Sequence, residues 1–402
     1  MKQEEKIPWF IKSIFIMTFM CGLPIPPIFV FNISGIAWVL SLTLALFFIF
    51  TNLKPNLISF PFWIWLPWTT LLILNLLFVN YQSLDPRVIP IQRTVQLLCP
   101  IAIGVVASIL RPSDNFMSKF ENYLKQLAVL IFATSFIFNF DAMTSALGTA
   151  LAPQVMTGIL LSAIFINSYY LTNKISFMAL FSLMTALPFL ALTRTVTAVI
   201  LLAAPLSFVK VSFIKRIIML GAIAGFGIAI FYSPQFQGKT FESGSGSIFE
   251  ATLDNPDFKT TGRKYMWDEM AEEIKYSPSA TYLFGRQTGA GETFSWQLSN
   301  LAYPHNDWLL TEYDFGLVGK IIYLCSNLLM MYYCFLASKK TQNLTTKIFF
   351  LASSYSFIPF MIVMNTDNIM VYASFFGNLQ YLIIGLAYGS LRRELDMHNR
   401  PL

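Results

Sequence analysis

Long apolar stretches separated by short polar turns make up most of the chain. A helix needs roughly 20 apolar residues to cross a bilayer, and backbone groups in lipid must pair within their own segment, so these stretches predict membrane-spanning helices. The predicted fold class is therefore all-α, a polytopic membrane protein with one large loop that contains short helices. By this length rule we count about twelve spans. They lie near residues 9–30, 34–52, 59–79, 95–110, 122–140, 153–172, 175–193, 195–210, 214–232, 314–337, 346–364 and 370–390.

One long polar segment, residues 233–307, interrupts this pattern and divides the chain into three parts. Residues 1–232 hold the first nine predicted spans. Residues 308–402 hold the last three spans and a charged tail. Because the loop 233–307 is the extensive polar part of the chain, we expect functional residues to concentrate there.

The loop itself has a recognisable order. A helix is predicted from apolar residues that recur at helical spacing, Met266, Met270 and Ile274. Pro278 should end this helix, because proline cannot continue it. A glycine-rich turn at residues 285–291 follows and carries Arg286, a candidate for substrate binding. The turn lacks the Gly-Lys-Ser/Thr ending of a nucleotide P-loop, so a plain turn is the favoured interpretation.

Composition and charge support the membrane assignment and give an orientation. Hydrophobic residues make up 55% of the chain and charged residues 12%, with a mean hydropathy of +0.60. Most Lys and Arg residues outside the long loop fall in segments that lie inside if the N-terminus is inside. Both termini should then be cytoplasmic and the loop outside. This topology explains the net charge of +6, so no nucleic-acid partner is expected.

His305 is the first candidate for acid–base chemistry, because histidine has an unperturbed pKa near neutrality. It is one of two histidines, and the other, His398, lies near the charged C-terminus. The following Asn306 and Asp307 could fix its tautomer. An interfacial histidine that merely orients the next helix is the alternative. Metal ligation is not expected, since the cysteines all fall inside predicted spans.

Arg263 is a candidate phosphate ligand, because it lies at the first turn of the predicted loop helix. Free backbone N–H groups and the positive end of the helix dipole favour an anion there. The alternative is a solvated arginine paired with Asp257 or Asp268.

Three further arginines lie in short outer turns and could contact phosphate oxygens in a bidentate manner. Arg194 falls between two apolar runs, where a snorkelling interfacial arginine is the alternative. Arg87 and Arg93 flank a separate outer segment. A fourth polar outer segment, Asn365-Thr366-Asp367-Asn368, could orient a sugar hydroxyl, although a tight turn between two helices is the favoured interpretation.

The motifs now in place resemble the superfamily of O-antigen ligases and Wzy-type polymerases. The most specific resemblance is His305-Asn306 followed after nine residues by Gly316 and then Gly319, which is similar to the family's His-Asn, nine residues, Gly-x-x-Gly pattern. Two further pieces occur in the expected order, Thr193-Arg194-Thr195 and Thr261-Gly262-Arg263 with Trp267. The region before residue 150 matches as generic membrane sequence.

The resemblance implies a metal-independent glycosyltransferase without a cofactor. It would act at the periplasmic face of the bacterial inner membrane on a glycan carried by undecaprenyl diphosphate. The arginines equivalent by motif to Arg194 and Arg263 would hold the diphosphate, and His305 would help to activate the acceptor hydroxyl. Arg87, Arg93, Asn306 and Arg286 are further candidates for substrate binding.

Two acceptors remain open within this interpretation. A second lipid-linked repeat unit would make the protein a polymerase, and lipid A core would make it a ligase. The loop 233–307 carries more acids than bases, and such a surface would repel a phosphorylated core, which favours a polymerase. A membrane transporter is the alternative from another class, which would need ionisable or helix-breaking residues near mid-membrane.

Overall fold

The computed structural model describes residues 58–144, 152–190, 194–209, 212–252, 255–259, 263–299, 303–370 and 376–398, together with a few isolated positions between residues 11 and 47. Within these ranges the regular structure is helical, and the β-type pairing is an isolated antiparallel bridge between Phe241 and Phe258. The all-α prediction is confirmed.

The α-helices are numbered in chain order. They are α1 Leu66–Leu77, α2 Pro90–Ile109, α3 Asp114–Thr144, α4 Ala152–Thr172, α5 Ile175–Leu190, α6 Arg194–Leu206, α7 Phe213–Phe231, α8 Pro234–Thr240, α9 Arg263–Lys275, α10 Ser279–Phe284, α11 Ala290–Ser299, α12 Asp307–Ser338, α13 Leu344–Val363 and α14 Asn378–His398. Short 3-10 turns lie at Phe62–Trp65, Tyr81–Ser83 and Ile248–Glu250.

Four helices in the described ranges are long and apolar enough to cross a membrane. They are α2, most of α4, α12 and α13. Shorter apolar helices lie at Phe62–Leu77, Ile175–Pro188 and Arg216–Ala229. The first two predicted spans lie almost entirely outside the described residues. The count of twelve and the placement of the long loop outside the membrane therefore stay predictions.

The ends of several helices differ from the sequence-based bounds. The span predicted at 122–140 lies within the longer helix α3, and the one predicted at 195–210 is α6, which has 13 residues. The last helix, α14, continues to His398 beyond the predicted end at residue 390. It is held there because Glu394 accepts hydrogen bonds from the hydroxyl of Thr341 and the backbone of Gln342.

Helices α2 and α14 approach each other closely through small residues. A Cβ atom on Gly385 would lie 2.3 Å from the backbone oxygen of Gly104, and one on Gly389 would lie 2.8 Å from that of Ser108. Gly385 and Gly389 form a small-xxx-small pattern, which lets two helix backbones pack against each other in a membrane. This contact holds the C-terminal helix α14 against α2.

Replacing Gly385 by Ala should therefore destabilise the protein. A backbone oxygen cannot move aside as a side chain can, and overpacking of this kind costs about 1–3 kcal/mol. Thermal unfolding of the purified protein in detergent measures the effect. Gly221→Ala in α7 is the matched control, because a Cβ there meets nothing within 4 Å. Equal unfolding temperatures for both variants would contradict the close packing of α2 on α14.

Helix α12 is interrupted at Gly316, whose backbone has φ 69° and ψ −176°. A Cβ at this position would lie 2.4 Å from the backbone of Leu283 and of Gly285, so the end of α10 touches α12 directly at the kink. With 32 residues, α12 is about 48 Å long, against the roughly 30 Å of a hydrocarbon core. The kink divides it into a first part that packs on the loop helices and an apolar second part long enough to span. Gly316, the first glycine of the His-Asn, nine residues, Gly pattern, therefore allows the kink and the close contact with α10 that a side chain would prevent.

One end of the helical bundle is rich in basic residues. At this end the last turns of α14 contact the turn after α2, where Arg111 Nη1 lies 2.7 Å from Asp396 Oδ2. Other basic residues at this end are Arg392 and Arg393 of α14 and Lys339 and Lys340, which follow α12 and precede the contact of Thr341 with Glu394. Helix α13 begins at this basic end and runs for 20 residues, about 30 Å, to a short segment at its other end, residues 364–370, which we call the outer hairpin.

Candidate functional site

The outer hairpin brings together the elements that carry the three motifs. His305 Nδ1 lies 3.3 Å from Asp367 Oδ1. The guanidinium of Arg263 donates a hydrogen bond of 3.2 Å to the backbone oxygen of Thr366. The hydroxyl of Thr366 donates to that of Thr195 over 3.0 Å. Residues more than 100 positions apart along the chain therefore meet at one hairpin.

The contact with Asp367 orients the imidazole of His305. Burial alone would raise the pKa of Asp367. Its hydrogen bonds with His305 and with the backbone N–H of Asn368, together with the charge of Arg263, outweigh burial and hold the pKa below its ordinary value of 3.8. The carboxylate is then ionised at neutral pH and can only accept. The proton of a neutral imidazole therefore belongs on Nδ1, which leaves Nε2 as the basic nitrogen.

The backbone of His305 is held in an uncommon conformation. Its φ of 55° lies in the left-handed region, which costs a side-chain-bearing residue roughly 1–3 kcal/mol and persists where neighbours enforce it. The indole N–H of Trp267 donates to the oxygen of Pro304. The side chain of Asn306 accepts from the backbone N–H of Leu309 and caps α12. These contacts on both sides fix the position from which the imidazole projects.

Asn306 and Asp307 do not fix the tautomer of His305, as the sequence suggested they could. Asn306 is used as the helix cap, and the carboxylate of Asp307 accepts from the backbone N–H of Met370 over 2.6 Å. The orienting role falls to Asp367. Because α12 begins at Asp307, the side chain of Asn306 caps the helix and that of Asp307 is buried.

Arg263 begins α9, where the sequence placed it. The apolar residues of the predicted helix, Met266, Met270 and Ile274, are buried. Neither of the expected acids pairs with Arg263, because Asp257 accepts from Ser243 and Asp268 pairs with Lys264 at 2.8 Å. Burial lowers the pKa of Arg263, and the charge of Asp367 partly opposes this. The guanidinium is thus half-buried beside the hairpin, with N–H donors beyond the one that Thr366 uses.

Arg194 is the first residue of α6. Its side chain lies outside what the structure describes, so its direction stays a prediction. The next residue, Thr195, is hydrogen-bonded to the outer hairpin. The start of α6 is therefore adjacent to the residues that contact Arg263 and His305.

Two other predicted arginines are engaged elsewhere. Arg87 pairs with Asp85 at 2.8 Å and is largely exposed. Arg286 pairs with Glu273 at 3.0 Å and lies over the ring of Tyr313. Their contribution to substrate binding stays a prediction.

Arg93 differs from these two because it is buried, with 7% of its surface exposed. Its guanidinium lies 5.1 Å from the ring centre of Tyr303, and one of its terminal nitrogens has no hydrogen-bond partner. The same cluster contains Glu292, whose pKa is raised by burial, while the charge of Arg93 and a hydrogen bond from Tyr303 oppose the shift. Arg93 could contact a diphosphate only if Tyr303 and Glu292 moved away from it.

Asp367 is a candidate functional residue that sequence reasoning treated as part of a turn. The available signal was an acid in a short polar turn on the same predicted side as His305. Its partner lies 62 positions away along the chain, which no local pattern reveals.

Replacing Asp367 by Asn should lower turnover by up to about 100-fold, the cost of a small misplacement of a reacting group.

The same substitution should change how stability depends on pH. Because the pKa of Asp367 is lower in the folded than in the unfolded protein, its contacts stabilise the protein at pH values above 3.8 and are lost as the pH falls through the folded-state pKa. The stability gap between wild type and variant should be constant near neutral pH and shrink only in acid. Turnover measurements and thermal unfolding across pH check this. A gap that closes near pH 7 would contradict the assignment.

Among the described residues, no group of three or more His, Cys, Asp and Glu side chains could hold a metal ion. The groups that the site does offer are guanidinium donors, an imidazole base and a carboxylate. These suit the stabilisation of an oxyanion and the transfer of a proton.

Part of the chain matches a known protein family. Residues 179–324 match the family described as O-antigen ligase. The matched segment contains Arg194, Arg263 and His305, together with Gly316 and Gly319. A comparison with curated proteins found no match. The family match supports an O-antigen ligase-type membrane glycosyltransferase. The resemblance drawn from the motifs is confirmed, because residues 179–324 match the O-antigen ligase family, which lies within the superfamily that the motifs indicated.

Proposed function

We propose that the protein transfers a glycan from undecaprenyl diphosphate to a sugar hydroxyl of an acceptor glycan, without a metal ion, during assembly of a surface polysaccharide. The observation that carries this proposal is the meeting of His305 and Arg263 at the outer hairpin, beside the start of α6 at Arg194. These residues supply the two kinds of group that the reaction needs, a base and anion ligands.

The chemistry proceeds as one displacement. The oxygen of the acceptor hydroxyl forms a bond to the anomeric carbon of the donor sugar, and the bond from that carbon to the diphosphate oxygen breaks. The hydroxyl proton passes to Nε2 of His305, and the bonding electron pair leaves with the diphosphate. Asp367 stabilises the imidazolium that forms, because its carboxylate accepts from Nδ1–H.

The arginines act on the leaving group. Negative charge builds on the diphosphate as the bond breaks, and guanidinium groups placed beforehand stabilise it without reorganisation. The planar group of Arg263 can contact two phosphate oxygens at once. Arg194 joins it from the start of α6.

The charge of the bundle ends supports a periplasmic site. The outer hairpin lies at the end of α13 away from Arg111, Lys339 and Lys340. Positive residues in short loops are retained on the cytoplasmic side. The termini are then cytoplasmic, and the site faces the periplasm of the inner membrane, where lipid-linked glycans are presented.

The acceptor we favour is a second lipid-linked repeat unit, which makes the protein a polymerase. The loop 233–307 holds an excess of acids, among them the exposed Asp268 and Glu272. A negatively charged surface disfavours binding of the phosphorylated lipid A core that a ligase would use.

Lipopolysaccharide from a deletion strain separates the two acceptors. A polymerase predicts core capped with a single repeat unit, restored to long chains by the wild-type gene. Loss of all attached glycan would indicate a ligase instead. An unchanged profile of chain lengths and of capped core would contradict both activities on this polysaccharide.

A further inference from the structure

We propose that Asp307 is a positioning residue for the transfer reaction, which clamps the outer hairpin so that Asp367 meets His305. This inference rests on the proposed function of His305. Asp307 follows the motif residues His305 and Asn306 directly and starts α12, and its side chain is buried and bonds Met370.

The clamp consists of two hydrogen bonds that bracket Asp367. The backbone N–H of Asp307 donates to the oxygen of Met364 over 2.8 Å. Its carboxylate oxygen Oδ2 accepts from the N–H of Met370 over 2.6 Å. Met364 and Met370 lie three residues before and three residues after Asp367. A single residue two positions from His305 therefore fixes both ends of the segment that carries the partner of His305.

The charge of Asp307 has a counterpart nearby. Asp307 is fully buried, and its second oxygen, Oδ1, has no hydrogen-bond partner. An isolated buried carboxylate is costly, so a charge of opposite sign is expected close by. Burial disfavours the charged form of Asp307, and the charge of the buried guanidinium of Arg93 opposes this. One terminal nitrogen of Arg93 also has no hydrogen-bond partner.

Replacing Asp307 by Ala should lower turnover by about 10-fold, because the hairpin is no longer held and the His305–Asp367 contact loosens. Asp307→Asn keeps an acceptor for the Met370 N–H and should recover most of this loss. In an Asp367→Asn background, Asp307→Ala should cause no further loss, since the two changes act on one contact.

Asp314→Ala is the matched control, because Asp314 is an equally buried carboxylate of α12 that binds Gly289 and Gly291 instead. Its effect should add to that of Asp367→Asn.

The ring nitrogens of His305 give a second readout that does not depend on turnover. The chain contains two histidines, so ¹⁵N-labelled histidine gives two sets of ring signals in detergent micelles. Asp307→Ala should convert the fixed Nδ1–H tautomer of His305 into a mixture, as Asp367→Asn does, while Asp314→Ala should leave it fixed. If Asp307→Ala does not fold, the folded Asp307→Asn variant must keep the tautomer and most of the turnover.

Several results would overturn the clamp. They are wild-type turnover for Asp307→Ala, additive losses with Asp367→Asn, or an unchanged tautomer in a folded Asp307→Ala protein. A folded Asp307→Asn variant without the fixed tautomer would also overturn it, because the charge and not the hydrogen bond would then matter. His305→Ala is measured in the same assay. Full activity of that variant refutes the proposed function, whereas an inactive His305→Ala beside a wild-type Asp307→Ala refutes the clamp alone.

Discussion

Replacing His305 by Ala should lower turnover by about 10²–10⁴-fold, the usual contribution of a positioned general base. The imidazole is oriented by Asp367 and is the proposed acceptor of the hydroxyl proton. Because His305 does not contact the diphosphate in this account, the lipid-linked donor should still bind. Transfer rates at saturating donor, together with a separate donor-binding measurement, test both halves of the expectation.

The other histidine provides the control. His398 is the last residue of α14, at the basic end of the bundle, and His398→Ala should transfer glycan at the wild-type rate. An active His305→Ala variant would show that His305 is not the general base. If His305→Ala loses donor binding together with turnover, His305 serves in substrate binding and not in proton transfer.

Replacing Arg263 by Ala should lower turnover by about 10²–10³-fold, the cost of losing one preorganised donor to a developing anion. The guanidinium is half-buried beside the outer hairpin, and Asp257 and Asp268, the two acids expected to pair with it, bind other groups. Arg263→Lys keeps the charge but loses the planar, bidentate contact, so it should recover only part of the rate. Steady-state kinetics with varied donor measures the loss as a fall in kcat and in kcat/KM.

Lys264 is the matched control for Arg263. It is the next residue of α9 and forms a partly exposed ion pair with Asp268, and exposed pairs contribute little. Lys264→Ala should therefore behave as wild type. Equal losses for the two variants would show that the general charge of α9, and not a directed contact, explains the effect.

The sequence predicted the parts of the site that depend on local patterns. The periodicity of Met266, Met270 and Ile274 predicted α9, and the structure buries these three side chains with Arg263 at the first turn. The spacing from His305 to Gly316 indicated the family. The physical reason for this spacing is a kinked helix that touches the end of α10, a contact between segments that the sequence pattern does not show.

The parts that the sequence missed depend on contacts between distant segments. Asp367 reaches His305 across 62 positions, and a polar turn between two helices has the same composition whether or not it binds a histidine. Arg93 was predicted as a phosphate ligand from its position at an outer turn. Its burial beside the ring of Tyr303 depends on a contact between segments that lie far apart along the chain. Neither arrangement leaves a local periodic signal.

Cell-free transfer by the purified protein tests the central claim most directly. A defined undecaprenyl-diphosphate-linked repeat unit serves as both donor and acceptor, with wild type compared against Arg194→Ala, Arg263→Ala and His305→Ala. We predict that wild type forms longer glycans and releases one undecaprenyl diphosphate per bond formed, and that each of the three variants shows severe loss. Wild-type rates in the three variants, each shown to be folded, would contradict it.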